Sequence, residues 1–395
     1  MSVHALNNKS KQRAWLMPAC LLTGIFLLNF LGRIILAPLL PAIEQDLQIS
    51  HTYSGSLFLS MSFGYFFSLL GSGYVASCIT HRQTLLLSAY MVGFVLAATS
   101  MGTRLWHLQA DFLFLGLAAG IYLPSGIATL TSLAGPGHWG RALSIHELAP
   151  NLSFLIAPLL TESLMLVISW RGVLLTLGAG SILMGLVYTR IGSGGDFLGQ
   201  RPDLKSLCDL SRKGAFWGIM VLFGLGVGST FGVYTMLPVF LVEVEGLNRS
   251  AANLFVGFSR VSTLFSVLAA GWAADHFGPK RTMGIVLCIT GVLTACLGIC
   301  HGRWNLFVVF LQPMTAVCFF PCAFAAMSSI VGTEMRNIIV SLTIPFSFLI
   351  GAGLLPAIIG FMGDLGLFSQ AFLFIGVLIA LGGISALYLF KEKKA

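Results

Sequence analysis

Charge is what this sequence has least of. Of 395 residues, 22 are Lys or Arg and 14 are Asp or Glu, about 9% of the chain, whereas soluble domains carry roughly 25%. So little charge excludes a soluble fold. The ten-residue alternating segments of a transmembrane β-barrel are also missing, and runs such as 173–187 contain no charge at all. The eight cysteines form no CxxC pair and lie mostly inside apolar runs, which argues against a disulfide framework. Cys296-x3-Cys300 and Cys318-x3-Cys322 place thiols on single helical faces, yet no histidine cluster or Met-rich stretch accompanies them, so no metal is assigned. No Gly-x4-Gly-Lys-Ser/Thr loop and no nucleophile motif occurs, which excludes ATP drive, an enzyme and a bound cofactor. The net charge of +8 is dispersed among short polar segments, so it marks no nucleic-acid surface.

What the sequence has in abundance is apolar length, at 56% hydrophobic residues. A bilayer core of ~30 Å needs about 20 apolar residues per helix. Segments of that kind fall near 15–40, 53–77, 83–103, 108–133, 141–165, 172–189, 215–241, 251–274, 282–300, 305–331, 337–362 and 368–390. The fold expected is an all-α membrane protein of twelve transmembrane helices in two pseudo-symmetric six-helix bundles. Its parts are an N-tail (1–14), a first bundle (15–189), a linker (190–214), a second bundle (215–390) and a C-tail (391–395). The run after Trp15 is too long for a signal peptide and has no convincing cleavage site, so it is read as a retained first span. With the N-terminus inside, the cytoplasmic segments hold 16 Lys or Arg against 4 outside, which places both termini in the cytoplasm. Short loops and tails suit a monomer in a bacterial inner membrane.

The two halves repeat each other. Gly73-Tyr-Val-Ala-Ser77 recurs as Gly271-Trp-Ala-Ala-Asp275, Leu40-Pro41 as Leu237-Pro238, Tyr122-Leu-Pro124 as Phe319-Phe-Pro321, and Ser153-Phe-Leu-Ile156 as Ser347-Phe-Leu-Ile350, at offsets of 194 to 198 residues. An even number of spans per repeat gives both halves the same orientation. Gly271-x3-Asp275-x2-Gly278-x-Lys280-Arg281, in the turn between spans 8 and 9, resembles the signature loop of the major facilitator superfamily. Gly73, Ser77, Thr80, His81 and Arg82 form a degraded first-half copy. The resemblance implies a secondary transporter working by alternating access, with both loops acting as a conformational latch. Arg33-x7-Pro41-x-Ile43, followed by Asp46-Leu47-x-Ile49-Ser50, is similar to the organic anion:cation symporter branch. In that branch such an arginine contacts an anionic substrate. Ala119 stands where the branch often has a carboxylate in span 4. Ala157-Pro158 to Ser169-Trp170-Arg171 resembles the superfamily's span 5 and its following loop.

An ionisable group at mid-bilayer costs about 2.5 to 3.5 kcal/mol even on insertion scales, so each one needs a reason. Arg33, with Asn29 one turn earlier, and Arg260, in mid-span 8, are read as the anion-binding pair. A central arginine in span 8 also resembles the monocarboxylate porters. Glu147 and His146, just before Pro150 and Asn151, are candidates for proton coupling, with Glu147 pairing to Arg260 or Arg33 in the empty carrier. A fixed salt bridge and a cytoplasmic-end gate are competing roles for Glu147. Tyr122, Tyr65, Tyr234, Gln312 and Asn151 are candidate substrate contacts, whereas Asp111 and Glu162 fit a structural role near the outer ends. Nothing in the 31 phenylalanines singles out an aromatic box. The expected function is proton-coupled uptake of a small organic anion, a carboxylate or phosphate ester, with lipid as surroundings. Its rivals are an exporter of amphiphilic or cationic compounds and a transporter-like sensor without flux.

Overall fold

The computed structural model describes residues 15–135, 138–199, 214–330 and 336–389. The basic N-tail, linker residues 200–213 and the C-tail lysines fall outside them. Among the described residues, eleven helices are long and apolar enough to cross a bilayer: Leu16–Leu47, His51–Cys78, His81–Met101, Leu105–Ala134, Trp139–Met165, Trp170–Ile191, Phe216–Glu243, Pro279–Ile299, Arg303–Met327, Leu342–Asp364 and Phe368–Tyr388. These are spans 1 to 7 and 9 to 12. Span 8 is present as two pieces, Arg249–Ser259 and Thr263–Phe277, each too short alone because the helix breaks at Arg260. Span 1 runs past the end expected from Pro41, which sits inside its last turns. The described linker therefore begins at Gly192, after span 6 closes at Ile191.

Proline sets several irregularities. A proline has no N–H, so the carbonyl four residues earlier drops out of the helical ladder. Span 1 turns at Ile35 ahead of Pro38, span 4 at Ile121 ahead of Pro124, span 5 at Glu147 ahead of Pro150, and span 10 near Val317 ahead of Pro321. The breaks at Pro124 and Pro321 are one repeated feature, in the motif that recurs at an offset of 197 residues. Spans 7 and 11 instead widen into π-helical turns, Gly228–Gly232 and Leu349–Leu354.

Each half packs in the same pairs. Spans 3 and 6, 2 and 4, and 1 and 5 pair in the first half; 9 and 12, 8 and 10, and 7 and 11 pair in the second. Large apolar side chains such as Phe67, Phe94 and Leu183 point outward, as a lipid-facing surface requires. Exposed Trp106 and Trp304 mark one rim and exposed Trp139 and Trp272 the other, in the manner of interfacial belts.

The halves meet through span 2 against 11, span 5 against 8, and span 1 against 7. These contacts concentrate on the face opposite the linker, here the far face. Asp364, at the end of span 11, accepts hydrogen bonds from the His51 and Thr52 backbone N–H groups at 2.8 and 2.9 Å, and so caps span 2 from the other half. Glu162 of span 5 accepts from the Asn253 amide at 2.6 Å and pairs with Arg249 at 3.3 Å. Asn253 also donates to the Pro38 carbonyl at 3.0 Å. Gly360 lets spans 2 and 11 touch, because a Cβ there would lie 2.2 Å from the His51 carbonyl oxygen.

The seam makes a prediction. In a cysteine-free background, Gly360→Leu should raise maleimide labelling of a cysteine at buried Ser54 by about tenfold in detergent, the change that ~1.4 kcal/mol of strain produces. Unchanged labelling would show that the far face is not held shut by this contact.

Candidate functional site

The two mid-membrane arginines sit at or beside helix breaks. Arg33 comes two residues before the turn at Ile35. At Arg260 the ladder tightens to three-residue steps: Arg260 N–H donates to Gly257, Val261 to Phe258 and Thr263 to Arg260, at 3.0, 3.1 and 3.2 Å. Both side chains are 2% exposed. Among the described residues neither has a carboxylate partner, and the Nε of each is buried without a hydrogen bond. Aromatic faces surround them instead. The Arg33 guanidinium lies 4.6 Å from the centroids of both Phe30 and Tyr65 and 5.9 Å from Phe348. That of Arg260 lies 5.0 Å from Phe154 and 4.8 Å from Tyr234. Such contacts offset part of the lost hydration, on the order of 2 kcal/mol when desolvated, but they leave the positive charge uncancelled.

The rings form one cluster. Phe30 meets Phe154 and Phe231 at 5.5 and 5.6 Å, Phe154 meets Phe231 and Tyr234 at 5.4 and 4.8 Å, and Phe348 meets Phe231 and Tyr65 at 5.4 and 5.1 Å. Spans 1, 2, 5, 7 and 11 contribute, so the cluster bridges both halves. Phe231 lies within the π turn of span 7 and Phe348 precedes that of span 11, two turns that pack on each other through Gly228 and Gly351. Such turns are frequent at functional sites. This box was missed in the sequence because its rings come from five distant segments. The signal available was the repeat itself, which makes Phe154 and Phe348 equivalent positions.

Most of the other polar candidates are committed to structure. Tyr122 is fully buried and its hydroxyl donates to the Leu22 carbonyl at 2.7 Å. Asn29 donates to Ser88 Oγ at 3.2 Å. Gln312 donates to the Ser229 carbonyl at 2.7 Å and to Thr294. Asn151 bonds back to the Glu147 carbonyl. Tyr65 and Tyr234 stay at the arginines, and the Tyr234 hydroxyl is buried without a partner. Glu147 does not reach either arginine; its side chain is 58% exposed, with its carboxylate 3.5 Å from His146 Nδ1. His146 is fully buried, stacked on Phe26 and 3.2 Å from the Tyr122 hydroxyl. Since that hydroxyl gives its proton to Leu22, His146 donates to it from Nε2, and Nδ1 faces the Glu147 carboxylate.

The loop motifs fall as follows. Arg82 donates to the Thr189 carbonyl at 3.1 Å and lies 3.8 Å from Asp196, while its backbone N–H donates to Gly195. The first-half loop thereby holds the end of span 6 and the start of the linker. Gly73 lies in the last turns of span 2. In the second half Gly278 adopts φ +85° and caps span 9, a conformation that favours glycine. Asp275 and Arg281 are exposed, Gly271 faces open space and Lys280 is half-buried. Asp46 and the Trp170-Arg171 pair, far apart in sequence, meet: Asp46 accepts from Trp170 Nε1 at 3.2 Å and pairs with Arg171. A separate open cavity of about 670 Å³ on the far face has neither arginine in its lining, and its Glu44 and Arg249 are already paired with His51 and Glu162.

A family model described as Major Facilitator Superfamily matches residues 22–349 and 249–395. The chain belongs to that superfamily. Similar proteins include the transporter YybO of Bacillus subtilis (strain 168), 26% identical over 66% of this chain and 65% of its own length. The 4-hydroxybenzoate transporter PcaK of Pseudomonas aeruginosa is 22% identical over 67% of each chain. The probable L-galactonate transporter of Escherichia coli (strain K12) is 21% identical over 63% of this chain and 59% of its own. The chain thus spans about two thirds of the length of these curated relatives. Among solved structures, a bacterial homologue of the human lysosomal transporter Spinster, inward-facing and occupied, has a TM-score of 0.81 at 15% identity, covering 94% of this chain and 95% of that one. The nucleoside transporter NupG (D323A mutant) has a TM-score of 0.77 at 13% identity, covering 94% and 100%. These likenesses establish the superfamily fold.

Tyr122→Phe should leave the Leu22 carbonyl and the His146 N–H without partners. The expected loss is about 1 to 3 kcal/mol, read as a lower unfolding temperature of the purified protein. An unchanged temperature would mean that this buried network does not hold spans 1, 4 and 5 together.

Proposed function

We propose that this protein is a secondary active transporter that carries a small organic anion by alternating access, with Arg33 and Arg260 binding the anion between the two bundles. One observation carries the reading: two buried guanidinium groups at mid-membrane have aromatic neighbours but, among the described residues, no carboxylate. An uncompensated cation in a low-dielectric interior is stabilised most directly by an anion that forms bidentate hydrogen bonds. Two relatives named for organic-acid transport, of 4-hydroxybenzoate and of L-galactonate, agree with that charge.

The excess of basic residues on the linker face supports a cytoplasmic linker, so a structure closed on the far face is an inward-facing state. Binding of the anion neutralises the arginines, and the loaded carrier can then close around a site whose charges are balanced. His146 and Glu147 suit proton coupling by a route that differs from direct pairing with the arginines. A proton taken at His146 Nδ1 completes an ion pair with Glu147 at the break in span 5, close to the linker face, and release of that proton opens it again. Asp275, Lys280 and Arg281 of the turn between spans 8 and 9, with Arg82 of the turn between spans 2 and 3, would form the latch that this rocking makes and breaks.

An exporter of amphiphilic cations is the reading least supported, because two unpaired arginines repel such a substrate. In proteoliposomes with an inward proton gradient, Arg260→Ala and Arg33→Ala should each reduce organic-anion uptake by at least a hundredfold, the scale of a lost buried charge pair. His146→Gln should flatten the pH dependence between about pH 5 and 8 while retaining exchange of anion for anion. Uptake that survives in both arginine variants would refute the anion site, and an unchanged pH profile would remove His146 from coupling.

A further inference from the structure

We infer that the anion is an aryl carboxylate, its carboxylate held by the arginines and its ring taken up by the Phe30, Phe154, Phe231 and Phe348 cluster. The inference rests on the anion reading above and specifies the body that the anion carries. Its first ground is ring geometry. Phe231, from the second half, meets Phe30 and Phe154 of the first half edge-to-face, at interplanar angles of 62° and 77°. Phe348 of the second half meets Tyr65 of the first at 48°. When the halves part at this level, these contacts are lost. A flat ring inserted between them restores an aromatic partner on both sides, which a saturated or polyhydroxylated body cannot do.

The second ground is the shortage of free polar groups among the described residues. Asn29, Tyr122 and Gln312 have their donors engaged with the protein. Beside the arginines, the Tyr234 hydroxyl is buried, has no partner and adjoins Arg260. One spare hydroxyl suits a carboxylate oxygen or a single ring substituent. A sugar acid brings several hydroxyls, and each one left without a partner in such a box lowers affinity by about tenfold. The arginines add selectivity of their own, since the Nε of each is buried without a hydrogen bond and a planar guanidinium presents it to a coplanar carboxylate.

Equilibrium binding to the purified full-length protein, by isothermal titration calorimetry, tests this with benzoate, cyclohexanecarboxylate and D-gluconate. Cyclohexanecarboxylate has the same charge and similar size but no π face, and a merely greasy pocket would prefer it. The inference predicts benzoate tightest, by about threefold to tenfold over cyclohexanecarboxylate, with gluconate weakest. Phe154→Leu and Phe348→Leu should bring the benzoate-to-cyclohexanecarboxylate ratio near one, and Phe154→Tyr should restore it. If cyclohexanecarboxylate or gluconate binds as well as benzoate, and all need Arg260, the aryl inference is overturned while the anion reading stands. If none of the three binds, or binding ignores Arg260→Ala, the anion reading fails and takes the inference with it.

Discussion

Two guanidinium groups buried at the middle of the molecule, with no countercharge among the described residues, constrain everything around them. A lone charge in an apolar interior is among the most costly arrangements a fold can hold, and it persists where nearby groups or a ligand relieve it. Here the relief from the chain is partial. Phenylalanine and tyrosine faces cover Arg33 and Arg260, supplying quadrupole attraction but no negative charge. The helices bend to the same end, since span 1 turns next to Arg33 and span 8 breaks at Arg260 itself.

The far-face seam is built on a different principle. It uses interactions that can be exchanged at modest cost: a carboxylate capping a helix end across the halves, a Glu–Arg–Asn cluster and one glycine contact. The Asp364 cap on exposed span 2 residues can open to water, whereas the Glu162–Asn253 bond is buried and has to be replaced when the seam opens. Firm polar anchoring also lies inside each half, in the Tyr122–His146 network and Asp46 held by Trp170 and Arg171 in the first, and in Gln312 held to Ser229 and Thr294 in the second. The two bundles are therefore stiff bodies with an adjustable joint, as alternating access requires.

The sequence carried the fold almost completely because membrane helices announce themselves by length and absence of charge, and the duplicated motifs set the topology of the halves. Boundaries slipped where proline misled: Pro41 looks like a helix end in sequence but lies inside a longer span whose last turns reach the far face. The arginines were legible because charge is so rare here. The aromatic box was not, since a phenylalanine facing lipid and one facing the centre look alike until the helices are packed. In sequence the attraction of opposite charges points Glu147 to the arginines, yet beside the Pro150 break its side chain faces solvent, with the buried His146 as its neighbour. Polar side chains with short reach, such as Asn29 and Gln312, mostly satisfied neighbouring backbone or hydroxyl groups, which a sequence cannot reveal.

The account depends on an anion relieving the two arginines and thereby allowing the halves to close on the linker face. Spin labels placed on the linker-side ends of the two halves, with their separation measured by double electron–electron resonance with and without saturating benzoate, test it most directly. The account predicts that the anion shifts the distribution toward shorter distances and that the shift vanishes when both arginines are replaced by glutamine. Identical distributions with and without the anion would contradict it.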